Sequence, residues 1–182
     1  MSSRKLTHLV LLLAGALWIW LSRVSSQDAL AGESAVPRVG FRAPDFELST
    51  PQGTQISLSD LRGQAVIINL WASWCPPCRA EMPALQKVYE TYHKQGLEIL
   101  AVNATNQDDA QSAVEFSSQL GLTFPILLDN DGAISRLYQL HSLPTTYFVG
   151  RDGSIQEVEV GGPMSEALLR VRVERMLGET LP

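Results

Sequence analysis

The chain has 182 residues, two cysteines and a formal net charge of −5. Hydrophobic residues make up 45% and charged residues 18%, which supports a packed core and excludes global disorder. The acidic balance excludes a nucleic-acid binder, which needs a basic face, and two cysteines are too few for a disulfide scaffold or a four-cysteine zinc site.

Arg4 and Lys5 precede an apolar run from Leu9 to Leu21, thirteen residues without a charge. A positive start before such a run reads as an export signal. The run is short for a full span of about 20 residues. Trp18 and Trp20 at its end suit an interfacial anchor, and Ala29-Leu30-Ala31 has the small-x-small form of a cleavage site. Two outcomes therefore stand: a retained membrane anchor or a cleaved signal peptide. The lack of a polar face argues against a buried core helix. The basic pair places the N-terminus inside, so the rest is expected on the extracytoplasmic face of the membrane, or secreted or periplasmic after cleavage. Residues 1–31 are read as this segment with the start of a linker, 32–37 as the rest of the linker, and 38–180 as the folded domain. Residues 1–31 carry +2, which leaves −7 on the remainder, a charge that disfavours an anionic membrane surface.

In the domain, Phe46 and Leu48, then Ile56 and Leu58, alternate with polar neighbours around Pro51-Gln52-Gly53 and predict a hairpin. Residues 59–63 predict a single helical turn closed by Gly63. The run 65–70, nearly all apolar and β-branched, predicts a strand buried on both faces. A helix is predicted over 76–94, with Met82, Leu85, Tyr89 and Tyr92 inward, a kink at Pro83, and Gly96 as its stop. Further elements are a strand over 97–102, a helix over 108–120, a strand over 124–128 and a short helix over 133–140. A hairpin over 145–149 and 155–160 turns at Arg151-Asp152-Gly153, and a last helix covers 165–177 with Leu169, Val173 and Met176 inward. Strands alternating with helices, ending in a hairpin, predict an α/β fold with a mixed sheet.

Cys75 and Cys78 sit where the buried strand meets the helix, in the stretch Trp74-Cys75-Pro76-Pro77-Cys78. Cys75 is placed as the N-cap and Cys78 as the third helical residue. Helix-end N–H groups and the positive dipole end stabilise a Cys75 thiolate. Cys78, one turn on, is close enough to close a disulfide. The outer cysteine then attacks a substrate disulfide and the inner one resolves the mixed disulfide. Pro76 and Pro77 remove two N–H donors and stiffen the turn. A purely structural disulfide and half of a metal site are the rival readings. A two-residue loop adds little entropic stability, and no other cysteine exists to complete a metal site.

The stretch resembles the thioredoxin superfamily, and the wider pattern is similar to exported TlpA/ResA-like disulfide reductases. The resemblance rests on Ala43-Pro44-Asp45-Phe46, on Asn69-Leu70-Trp71-Ala72-Ser73-Trp74, on Cys78-Arg79-Ala80-Glu81-Met82-Pro83 and on Leu143-Pro144-Thr145-Thr146-Tyr147-Phe148. It covers roughly residues 38–180. It implies a thioredoxin-like fold: a central mixed sheet flanked by helices, with an N-terminal hairpin and a central βα insertion over about 97–120. It implies that Pro144 is the cis-proline against the disulfide, that it blocks metal binding by the thiols, and that it exposes the Leu143 backbone to an extended substrate. Trp74, Leu143 and Thr145 are then substrate contacts. Glu81 is implied as a buried carboxylate that takes the Cys78 proton. Thioredoxins of the cytoplasmic type use a strand aspartate for this, and Asn69 stands at that position. An exposed helix carboxylate is the rival reading for Glu81, and a trans bond for Pro144.

The implied activity is a protein disulfide reductase with no cofactor and no metal, expected as a monomer. Its implied substrates are protein disulfides, apocytochrome c among them, and its implied electron donor is a membrane thiol carrier. Two alternatives stand beside it. A thioredoxin-like copper chaperone, or a thiol reductant for copper assembly, is suggested by His141, although such chaperones space their cysteines by three residues. A peroxiredoxin-type peroxidase needs a threonine where the chain has Ala72. His141 otherwise reads as a solvated loop residue, His93 as surface, and the polar stretch 103–109 as a capping loop, with an edge of the site as the alternative.

Overall fold

The computed structural model describes residues 37–178. The expected export segment 1–31 and the linker up to residue 36 lie outside the described residues. Strands β1 (Glu47–Ser49) and β2 (Gln55–Ser57) pair antiparallel as a separate two-stranded sheet, with Leu48 opposite Ile56. A 3-10 turn, Leu58–Leu61, follows, and Gly63 closes it at φ 86. Strand β3 (Ala65–Trp71) then enters the main sheet, and every one of its residues is buried.

Five strands make that sheet in the order β5-β4-β3-β6-β7. β4 (Leu97–Asn103) and β5 (Ile126–Leu128) run parallel to β3, while β6 (Thr145–Val149) and β7 (Ile155–Val160) form the antiparallel hairpin. Helix α1 (Pro76–Tyr92) follows β3, α2 (Ala110–Gln119) follows β4, α3 (Ala133–Leu137) follows β5, and α4 (Glu166–Leu177) ends the domain. This is the mixed α/β architecture that the pattern predicts.

The period of two along β3 sorts its side chains into two cores. Ala65, Ile67 and Trp71 face a cluster holding Cys78, Met82 and Leu85 of α1 and Leu169 and Val173 of α4. Val66, Ile68 and Leu70 face Phe46, Leu58, Tyr138 and Tyr147. Tyr138 anchors the second core: its hydroxyl donates to Pro44 O at 2.6 Å, and the Tyr147 hydroxyl donates to Tyr138 O. Asn69 belongs by position to the α1 face, so a polar side chain is delivered into an apolar core beneath the cysteine helix.

The element ends differ from expectation for local reasons. α1 stops at Tyr92, and its last turn tightens into a 3-10 turn, His93–Gln95, before left-handed Gly96. α2 starts at Ala110 because the Asp109 carboxylate caps it, accepting from Ser112 N, so Asp108 lies outside the helix. α3 ends at Leu137, and Gln139 at φ 50 takes the chain out of helical geometry. β5 begins only after Pro125, which has no N–H to give to a ladder. Pro83 lies inside α1, which continues past it to Tyr92. Among the described residues, no helix is long and apolar enough to cross a membrane.

Candidate active site

Cys75 ends the strand-to-helix connection and Cys78 lies in the first turn of α1. Cys75 is the N-cap in an extended conformation, and Pro76 and Pro77 occupy the first two helical positions, where a missing N–H costs least. The Cys78 amide donates to the Cys75 sulfur at 3.3 Å. Both cysteines are joined in a disulfide with an S–S distance of 2.08 Å. Cys75 is 3% exposed and Cys78 wholly buried, so an incoming sulfur reaches the pair from the Cys75 side. A cleft of about 320 Å³ opens there, lined by Trp74, Cys75, Pro76, Gln107, His141 and Leu143 among others.

Two carboxylates brace this turn from opposite sides. On the outer side, Asp108 accepts from Ser73 N at 2.6 Å, Ser73 Oγ at 2.7 Å, Asn103 Nδ2 at 2.7 Å and Asp109 N at 2.9 Å. Burial pushes its acid strength down, but the bonds from Asn103, Ser73 and Asp109 outweigh it and hold its pKa below the ordinary aspartate value. Two more bonds tie the same loop down. The Trp74 indole N–H donates to Gln107 O at 2.9 Å, and Arg79 donates to Ser73 O at 2.9 Å while lying 4.1 Å over the Phe116 ring.

On the inner side, Glu81 is wholly buried three residues past Cys78. Asn69 Nδ2 donates to it at 2.8 Å and also to Thr146 Oγ1 at 2.8 Å, while Met164 N donates to its other oxygen at 3.2 Å. Burial pushes the carboxyl up to about 7. The bonds from Met164 and Asn69 pull it down, and the nearby Glu159 carboxylate pushes it up further. A half-ionised carboxyl at neutral pH on the inner-cysteine side of the helix is able to accept a thiol proton. The exposed-carboxylate reading of Glu81 is overturned by this burial.

The Leu143–Pro144 bond is cis, as is the Gly162–Pro163 bond. Pro144 O accepts from Gly161 N at 2.8 Å, which joins the two proline loops. Gly162 leaves no space for a side chain: a Cβ there would lie 2.7 Å from Glu81 Oε2 and 2.9 Å from Pro144 Cγ. Trp74, Cys75, Leu143 and His141 come together on the cleft. Trp74 is exposed and Leu143 half-buried, whereas Thr145 is buried and its hydroxyl donates to Ser142 O at 2.7 Å. Glu81 and Cys78 are wholly buried and do not line the cleft. Among the described residues, no three His, Cys, Asp or Glu side chains cluster as a metal site.

Sequence reasoning placed Asp108 only within a polar stretch with an alternative role at the site's edge, without its partners, and missed Met164 and Gly162. The Asp108-Asp109 pair before a helix was a usable signal, since one aspartate caps and the other is left to reach elsewhere. Gly161-Gly162-Pro163 marked a tight loop, but nothing in it pointed to Glu81.

The chain matches the AhpC/TSA family model over residues 39–158. It is 37% identical over 162 residues to the thiol-disulfide oxidoreductase ResA of Geobacillus kaustophilus, covering 89% of this chain and 88% of that protein. It is 44% identical over 123 residues to the thioredoxin-like protein YneN of Bacillus subtilis, covering 67% and 71%. Among solved structures, a putative thiol:disulfide interchange protein DsbE from Chlorobium tepidum superposes with a TM-score of 0.71 at 32% identity, covering 78% of this chain and 99% of that one. StoA from Bacillus subtilis superposes with a TM-score of 0.63 at 34% identity, covering 77% and 99%. With the cysteine pair closed as a disulfide at the head of α1 and relatives of this identity and coverage, the chain belongs to the AhpC/TSA family as a thioredoxin-like thiol-disulfide oxidoreductase of the ResA/StoA type.

Proposed function

We propose that the protein is a monomeric, extracytoplasmic protein-disulfide reductase in which Cys75 attacks, Cys78 resolves and Glu81 takes the Cys78 proton. The Cys75 thiolate attacks one sulfur of a substrate disulfide, forms a mixed disulfide and expels the other substrate thiolate. Ionised Glu81 removes the Cys78 proton. The Cys78 thiolate then attacks the Cys75 sulfur, closes the Cys75–Cys78 disulfide and releases the second substrate thiol. Two electrons pass to the substrate, and a membrane thiol donor, itself oxidised, restores the dithiol. Trp74 and Leu143, with Pro144 beside them, receive an extended substrate segment, while buried Thr145, expected from the resemblance as a contact, supports the Pro144 turn through its bond to Ser142 O. Cytochrome c maturation or a related thiol-dependent assembly is the setting, with apocytochrome c as a substrate, and the N-terminal segment either anchors the domain or is cleaved.

The observation that carries this reading is the wholly buried carboxyl held at about 7 on the inner-cysteine side of the helix. A structural disulfide has no use for such a group. The reading is tested by the reduction potential together with trapping. Cys78→Ser is expected to accumulate mixed disulfides with protein substrates. A potential near that of strong periplasmic oxidants, about −120 mV, overturns the reductant direction.

A further inference from the structure

The polar row that carries Glu81 does not end at Glu81. Strand register sets Asn69 opposite Thr146, and Thr146 opposite Glu159, so one cross-strand row runs from β3 to the edge strand β7. In the next row, Phe148 lies opposite Glu157. Arg172 of α4 settles over these two rows. Its guanidinium lies 5.0 Å from the Phe148 ring centre, 2.6 Å from the Glu159 carboxylate and 2.7 Å from that of Glu157. Its Nη1 lies 3.2 Å from the sulfur of Met164, whose backbone N–H holds Glu81. The Arg172 side chain is only 9% exposed, so its charge acts through little water.

We propose that Arg172 is a positioning residue for the buried carboxyl: by pairing with Glu159 and Glu157 it sets the charge that Glu81 faces, and so the pH range over which Glu81 holds its proton. The titratable and charged groups around this carboxyl come from three elements. They are Cys78 on its own helix, which titrates only once the disulfide is reduced, Glu159 and Glu157 on β7, and Arg172 on α4, with Arg175 3.7 Å from Glu157 at the outer edge. β3 and β6 contribute the neutral side chains of Asn69 and Thr146. Glu159 opposes ionisation of Glu81, and a cation against Glu159 relieves that opposition. In this structure the pair is closed, so Glu159 opposes ionisation of Glu81 less than an unpaired carboxylate would. The catalytic consequence rests on the reading of Glu81 as proton acceptor, but the effect on its protonation does not.

The test is a carbon-13 NMR titration of the Glu81 carboxyl in the oxidised full-length chain, which reads protonation without any turnover. Arg172→Met is expected to raise the Glu81 midpoint and Glu159→Gln to lower it, each by about half a pH unit or more. Arg172→Lys, which keeps the charge, should stay nearer the native midpoint than Arg172→Met does. A purely structural role would not shift the two single variants in opposite directions. If Arg172→Met does not fold, Arg172→Gln, which also removes the charge but keeps a polar side chain, takes its place, and Glu159→Gln checks only the sign of the Glu159 contribution. An unmoved midpoint in a folded Glu159→Gln, Arg172→Met or Arg172→Gln overturns the proposal. If the midpoints move while the pH profile of mixed-disulfide resolution stays put, the proton-acceptor reading fails and the present inference stands.

Discussion

Glu81 and Asp108 are both carboxylates, and they hold the two ends of the segment that carries the cysteines. Asp108 grips Ser73 before Cys75, and Glu81 lies past Cys78. Glu81 receives hydrogen bonds from Asn69 and Met164, and its pKa rises to about 7. Asp108 receives four, and its pKa falls below the ordinary value. The difference lies in burial set against the number of donors. At the half-exposed lip, four donors exceed the loss of water. Under the sheet two donors do not, and a negative neighbour in Glu159 adds to the deficit. One carboxylate is thus a latch that stays charged at neutral pH, and the other is a group that changes protonation near neutral pH.

That contrast breaks first at the cysteines, where the expected effect is largest. Cys75→Ala should abolish reduction of a protein disulfide such as insulin, because the remaining Cys78 is wholly buried and has no partner. Retained turnover would place the attacking sulfur elsewhere. Glu81→Gln should come next. It removes the proposed proton acceptor while keeping the side-chain shape, so resolution of a mixed disulfide should slow by about 10²-fold near neutral pH. The same variant tests the energetics. The Glu81 carboxyl ionises at about 4.5 in the unfolded chain and at about 7 in the folded one. The folded state therefore binds the extra proton between these values. Stability contributed by the group is present below the window, falls as pH rises through it and stays lost above it. Glu81→Gln should lack this decline and exceed the native protein above the window by on the order of 3 kcal/mol, read by urea denaturation. Parallel stability–pH curves for the two proteins would remove burial as the cause.

Much of this arrangement is legible in the sequence, because its signals are local. The run 65–70 of apolar, β-branched residues, the cysteines at its end and the prolines at the helix start fix β3, α1 and the N-cap without tertiary knowledge. The hairpin 145–149 and 155–160 is read to its observed bounds. What stays hidden depends on long-range contacts. Asp108 acts on Ser73 thirty-five residues away, and Met164 reaches Glu81 across eighty-three. Their partners are set by how β4 lies beside β3 and how the connection from β7 to α4 passes α1, and no periodicity encodes that. The burial of Glu81 was implied by resemblance alone. From the helix pattern, a carboxylate at that position reads equally well as solvent-facing.

Gly162 tests the buried side more gently. A methyl group there meets both Glu81 and Pro144 at under 3 Å, so the loop or the carboxyl must shift. Gly162→Ala should cost about 1–3 kcal/mol of stability and slow resolution more than it slows Cys75 attack. Equal slowing of both steps would mean that the loop carrying Pro144 gives way rather than Glu81.

Asp108→Asn should have the smallest effect, and its sign opposes that of Glu81→Gln. An amide in place of the carboxylate turns one acceptor into a donor facing other donors, which should cost roughly 1–2 kcal/mol at neutral pH. The folded-state pKa of Asp108 is depressed, so its contribution is present above the unfolded value of about 3.8 and disappears as pH falls through the folded value. The native protein and Asp108→Asn should therefore converge in stability in acid, whereas the native protein and Glu81→Gln diverge as pH rises. Thermal unfolding across the acid range distinguishes the two. If the Asp108→Asn deficit persists unchanged at low pH, the latch acts through shape alone and its charge is irrelevant to the turn that presents Cys75.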